Sequence, residues 1–133
     1  MRRLSLVVFV LSMSLILTGL AFAANPHFVG TPTCNVVDEQ LCCSGKIAGL
    51  GTAPSRVTVT APFSCTNRGG HQPPGQASGQ SGLITPRGGQ ITFTNVCTTQ
   101  AGCPDQMTPT FGDATITVFQ DGTPVFTGTV PVE

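Results

Sequence analysis

Arg56-Val57-Thr58-Val59-Thr60-Ala61 decides the fold class. Val57, Val59 and Ala61 fall on one side of an extended chain and Arg56, Thr58 and Thr60 on the other, the period-two signature of a half-buried strand. The pattern returns in Ile91-Thr92-Phe93-Thr94 and again in Thr115-Ile116-Thr117-Val118. Beyond the last run, Asp121-Gly122 is the strongest turn in the chain, because both central residues of a type I′ turn need positive φ, which Gly accepts and Asp tolerates. The spacing predicts a hairpin of Ala114 to Gln120 and Thr123 to Val130.

Working outward, Pro86-Arg87-Gly88-Gly89 separates a strand at Ala77 to Thr85 from one beginning at Gln90, and strands near Phe28 to Val36 and Leu41 to Ala48 bring the set to seven. Ala48-Gly49-Leu50-Gly51 reads as a glycine-bracketed turn with Leu50 plugging the end of the core. Seven short strands separated by turn signals predict an all-β, two-sheet antiparallel sandwich of immunoglobulin-like type, with a partly open barrel as the alternative. Composition agrees. The 133 residues hold 16 Gly, 11 Pro and 6 Cys, and helix formers are scarce, which argues against a helical bundle or coiled coil.

The first 23 residues read as a cleaved signal peptide. Arg2-Arg3 supply a positive end, Leu4 to Leu17 an apolar run, and Ala21-Phe22-Ala23 the small residues around a cut after Ala23. Leu20 stands where a lipidated cysteine would be needed, so no lipid anchor is expected. No second apolar stretch follows, so no membrane insertion is expected after cleavage. Residues 24–133 then form a single domain, secreted to the bacterial cell envelope or medium. Without Arg2 and Arg3 the mature chain carries four cations against six carboxylates. Four scattered cations build no basic face, and nucleic acid is not expected as a partner.

Export places Cys34, Cys42, Cys43, Cys65, Cys97 and Cys103 in an oxidising compartment, where an even count in a short chain predicts three disulfides. A zinc site is disfavoured, since the chain has no Cys-x-x-Cys pair and no histidine at a finger-like offset. Alternation in Leu41 to Ile47 turns Cys43 inward and Cys42 outward, and alternation in Ile91 to Cys97 turns Cys97 inward. Cys43 with Cys97 follows as a bridge through the core, and Cys34 with Cys42 as a local one across a hairpin. Cys34 shares a strand face with Val36, however, and so itself ought to point inward. Cys65 and Cys103 are left over. Joined, they would close a loop of nearly forty residues and remove about 4 kcal/mol of unfolded-state freedom on the chain-entropy model.

Catalytic chemistry has little to work with. His27 and His71 are the two histidines, and each has an ordinary reading as an exposed residue. An amino-terminal copper site at His27 fails, because Pro26 has no amide proton to lose. No serine lies in a nucleophile elbow, and the glycines at Gly79, Gly82, Gly88 and Gly89 lack the Lys-Ser/Thr ending of a phosphate loop. Asp38, Glu39, Asp105, Asp113 and Asp121 fall in or beside turns and loops, not as a facing pair. With no Trp or Tyr, the chain has little to stack on a sugar ring or a base. No cofactor, metal or catalytic residue is expected, and the chain is read as a non-enzyme.

Thr66 to Gly75 (Thr-Asn-Arg-Gly-Gly-His-Gln-Pro-Pro-Gly) cannot hold a strand ladder and reads as a loop tethered by Cys65. Loops of this length on a stapled frame are where function usually sits, which makes Asn67, Arg68 and His71 the candidate interaction residues. Elsewhere Arg56, Arg87 and an exposed Phe119 are the side chains suited to a partner surface. Pro124 and Pro131 discourage strand addition along Thr123 to Val130.

Asn25-Pro26-His27-Phe28-Val29, Ala48-Gly49-Leu50-Gly51, Cys65-Thr66-Asn67 leading to Gly69-Gly70, Gly89-Gln90-Ile91-Thr92 and Cys103-Pro104 occur in that order. In these blocks, which span nearly the whole mature chain, the sequence resembles an uncharacterised family of small secreted bacterial proteins. The resemblance implies export, a β-sandwich and a bond between Cys65 and Cys103, and it lends no activity, ligand or catalytic residue. Cys34, Cys42, Cys43 and Cys97 depart from the family pattern. The functional expectation is a secreted interaction or cell-surface structural module with an extracellular protein as partner. The alternatives are a protease inhibitor offering Arg68 on the 66–75 loop, and a small hydrolase or metalloprotein using His71.

Overall fold

A computed structural model describes residues 25–66 and 74–133. The segment expected as a signal peptide, and Asn67, Arg68 and His71, lie outside the described residues. The described chain is all β, with nine strands in two antiparallel sheets: β1 (His27–Phe28), β2 (Thr33–Val37), β3 (Gln40–Ala48), β4 (Ser55–Thr66), β5 (Gly75–Gln80), β6 (Ile91–Cys97), β7 (Thr108–Phe111), β8 (Ala114–Gln120) and β9 (Thr123–Val130).

In the first sheet β3 is central. β6 runs along one flank, while β2 and β1 share the other, β2 against Gln40 to Ser44 and β1 against Ile47 and Ala48. In the second sheet β4 plays the same part. β5 lies on one flank, β8 and β7 share the other, and β9 continues beyond β8. The apolar sets read from the alternating runs all face the space between the sheets: Val57, Val59 and Ala61 from β4, Ile116 and Val118 from β8, Leu41, Cys43 and Ile47 from β3, and Ile91 and Phe93 from β6. Leu50 closes one end of this core and is buried. The apolar faces of both sheets are thus removed from water by each other, which is the driving term for a fold of this size.

The sheets are also linked at both flanks. Thr99 N–H donates to Ser78 O (3.0 Å) on one side, and Glu133 N–H donates to Cys34 O (3.1 Å) on the other. Phe28 and Phe126 meet edge-to-face across the second flank, with ring centroids 5.0 Å apart, a favoured arrangement for the ring quadrupoles.

The Asp121-Gly122 hairpin forms between the strand limits expected, with φ of 51° and 74° at its two turn residues. Asp38-Glu39 makes a second two-residue turn with both φ positive, 49° and 62°. Three expectations need correction in detail. The strand expected over Phe28 to Val36 is two strands, because Gly30 (φ 71°) and Pro32 turn the chain away from β3 after Val29 and return it at Thr33. The strand expected over Ala77 to Thr85 ends at Gln80, because Ser81 binds β4 with its side chain as well as its backbone. Its N–H donates to Val57 O, and its Oγ accepts from Val57 N–H at 2.9 Å. Gly82 and Leu83 then bulge out before Ile84 pairs with Ser55. The ninth strand, β7, extends the edge begun by β8 past a break at Gly112, whose N–H donates to Pro62 O.

All six cysteines are bridged, as Cys34–Cys43, Cys42–Cys97 and Cys65–Cys103. The expected Cys43–Cys97 and Cys34–Cys42 pairs do not form, and one residue accounts for both errors. Asn95, with φ of 47°, bulges β6 so that Thr94 and Asn95 together stand opposite Ser44. A bulge reverses the parity of everything after it. Val96 therefore turns into the core, and Cys97 turns out to face Cys42 on the outer surface of the sheet. Cys43 is left inside with Cys34, its direct partner across the β2–β3 pair. The inward orientation expected of Cys34 on its own strand is the one found.

Candidate functional site

The 66–75 loop joins β4 to β5, and the structure fixes both of its roots. Phe63 pairs with Gly75 on one flank of β4 and with Phe111 of β7 on the other. The tip of the Phe63 ring lies over Gly75, where an added Cβ would come within 2.8 Å of its Cζ, so a larger residue at the loop's exit would have to displace the ring. Phe63 and Phe111 pack in a tilted arrangement, with ring centroids 5.9 Å apart and planes at 53°. Two residues on, Cys65 is buried and bonded to Cys103. Three constraints of different kinds, a strand ladder on either side, an aromatic pair and a covalent link, thus converge within the last four residues of β4.

The remaining residues singled out in the sequence are spread apart. His27 is exposed at the start of β1, and its Nδ1 lies 2.8 Å from Asn25 O, a local bond within one turn of chain. Asp38, Asp105, Asp113 and Asp121 are exposed in turns or connections, and Glu39 is half-buried beside Asp38. Among the described residues no group of three His, Cys, Asp or Glu side chains gathers closely enough to hold a metal ion. Arg87 lies with Lys46 beside a small polar depression lined by Gln90 and Thr92.

Arg56 and Phe119 are brought together. They are direct partners across the β4–β8 pair, on the outer face of the second sheet, and both line a cleft of about 590 Å³ with Pro54, Thr58 and Asp121. Phe119 is half-buried there, not exposed as expected, because its ring lies in the wall of the cleft. Leu83 forms the opposite wall and is 66% exposed, the most exposed large apolar side chain described. Sequence reading gave Leu83 no role. Its one signal is a large apolar residue directly after Ser81-Gly82, beside Ile84, in an otherwise polar stretch.

Comparison of the chain with protein-family models, curated proteins and solved structures finds no match.

Proposed function

We propose that the protein acts outside the cell as a non-enzymatic interaction module, an immunoglobulin-like sandwich that is exported by its first 23 residues and presents the 66–75 loop to an extracellular protein. The observation that carries this reading is the investment of constraint at the loop's base, where the Cys65–Cys103 bridge, the Phe63–Phe111 contact and two strand ladders coincide. Fixing the roots of a recognition loop lowers the ordering entropy lost on binding, which is the usual gain from preorganisation. Three disulfides accord with an oxidising compartment.

Strand order supports the immunoglobulin-like description. With β1 and β2 treated as one edge, and β7 and β8 as another, the sheets run β6-β3-β2 and β5-β4-β8-β9. This is the layout in which the first, second and fifth strands face a sheet built on the third, sixth and seventh, with the fourth added beside the third.

The test is site-specific photocrosslinking on the producing cells. A photoreactive residue at position 68 or 71 is expected to yield a discrete adduct absent when the probe sits at Thr94, on the outer face of the other sheet. Equal labelling from all three positions, or none from any, removes the loop as the recognition element. The same loop tested against trypsin-like proteases separates general recognition from inhibition: simple cleavage after Arg68 eliminates the inhibitor alternative.

A further inference from the structure

The cleft on the outer face of the second sheet has a construction that the loop reading does not use. Its floor is β4, where Arg56 and Thr58 point outward by strand parity. One wall is Phe119 with the Asp121-Gly122 turn, and the other is the short bulge carrying Leu83. That bulge is pinned at both ends. Ser81 makes two bonds to Val57, and Ile84 exchanges both backbone bonds with Ser55 at 2.8 Å. Only Gly82 and Leu83 lie between these anchors. A large apolar side chain held two-thirds in water by a rigid support is unfavourable for the isolated protein and favourable once something apolar covers it.

Arg56 adds a second, independent sign. Among the described residues its Nε is the buried side-chain polar atom with no hydrogen-bond partner. Buried donors are nearly always satisfied, so an orphan calls for an explanation. Guanidinium has one anion geometry that uses Nε, the side-on approach in which a carboxylate accepts from Nε and a neighbouring Nη together. Nε is screened from water, so this approach requires the guanidinium to turn its edge toward the incoming group. Arg56 is the one cation in the lining, and Asp121 is its one carboxylate. A second negative charge on the ligand would meet Asp121, which favours a single anionic group.

We propose that this cleft binds a small monocarboxylate with an apolar body, its carboxylate on Arg56 and its hydrocarbon between Leu83 and Phe119. A volume of about 590 Å³ lies in the range of small-ligand sites. Arg56 and the 66–75 loop stand at opposite ends of β4, a strand of 12 residues, so the two surfaces are independent and either reading stands if the other fails.

Octanoate is the probe, titrated into the oxidised mature protein and followed by amide NMR shifts, with octanol as the neutral control. Saturable octanoate shifts are expected at Thr58, Gln80 and Gly122, and not at Thr92. Arg56→Gln is expected to weaken octanoate at least ~10-fold, the loss of a charge-assisted hydrogen bond, while leaving octanol unchanged. Arg56→Lys keeps the charge without Nε and is expected to fall between the two. Leu83→Ser alters an exposed side chain, leaves the melting transition in place, and is expected to weaken both ligands. No saturation by octanoate at concentrations of about 10 mM overturns the proposal, as does octanoate binding that is indifferent to Arg56→Gln and Leu83→Ser in variants retaining all three disulfides.

Discussion

Asn95 carries more of this structure than its size suggests. Left-handed backbone at a non-glycine residue is tolerated by Asn because its short polar side chain is compatible with it, and is strained for a β-branched one. The bulge is held from the neighbouring strand, where Ser44 Oγ accepts the Asn95 N–H at 2.9 Å. Asn95→Gly is expected to leave stability within about 0.5 kcal/mol, whereas Asn95→Val should lower it by about 1–2 kcal/mol in denaturant unfolding. Gly79 is a stricter case. A Cβ there would stand 1.9 Å from the Cys97 carbonyl oxygen, and since the obstacle is backbone, Gly79→Ala is expected to cost about 3 kcal/mol or more. Thr98 is the buried hydroxyl at the same corner. Its Oγ1 accepts from Leu41 N–H at 3.0 Å and donates to Thr99 O at 2.9 Å. Thr98→Val keeps the shape and strands a buried donor, so a loss of about 1–3 kcal/mol is expected, read from the same unfolding curves.

Among elements, β3 is the one to which most of the first sheet answers, since β1, β2 and β6 all pair with it and both Cys42 and Cys43 lie on it. The bridges it sends out differ in reach. Cys34–Cys43 joins residues 9 apart and Cys42–Cys97 residues 55 apart. On the chain-entropy model the longer link restricts the unfolded chain by about 4 kcal/mol and the shorter by about 2.5 kcal/mol. The Cys42→Ser/Cys97→Ser double variant should therefore lose about 4 kcal/mol of unfolding free energy. A smaller loss than from Cys34→Ser/Cys43→Ser would mean that packing around the buried pair outweighs chain restriction. The contrast between elements also explains what could be read from sequence. The β8–β9 hairpin was legible to its limits because Asp121-Gly122 fixes the turn type and the first pairs, although the register slips by one residue beyond Phe119. β6 was legible only as far as Phe93, since periodicity assumes an unbroken strand and nothing in Thr94-Asn95 announces a positive φ. β7 was illegible because Thr108-Pro109-Thr110-Phe111 is short and contains a proline, which is tolerated there because β7 pairs with β4 alone and has an open outer edge. In the cleft, strand parity gave the outward orientation of Arg56, but its meeting with Leu83 depends on the long-range Ser81–Val57 and Ile84–Ser55 contacts, which no local pattern encodes.

At the scale of the whole molecule, two sheets are joined at both flanks by backbone hydrogen bonds, with two disulfides inside the first sheet and a third holding β4 to the β6–β7 connection. Domains near this size hold only a modest stability reserve, so full reduction is expected to lower the melting temperature steeply, followed by circular dichroism with and without excess reductant. A transition that does not move would assign the stability to the packed sheets instead. Partial reduction with mass mapping should recover Cys34–Cys43, Cys42–Cys97 and Cys65–Cys103, and any Cys43–Cys97 species would contradict the bulge at Asn95.

Because neighbouring Cys42 and Cys43 send their sulfurs to opposite sides of one sheet, the two fastenings on β3 have different weather. Cys43 and its mate sit wholly in the dry interior, while Cys97 is partly open to solvent. A dilute thiol reagent therefore meets the outer clasp well before the inner one. Mild reduction should proceed from the surface inward, through a folded form with its inner clasp still closed, and not as a single collapse.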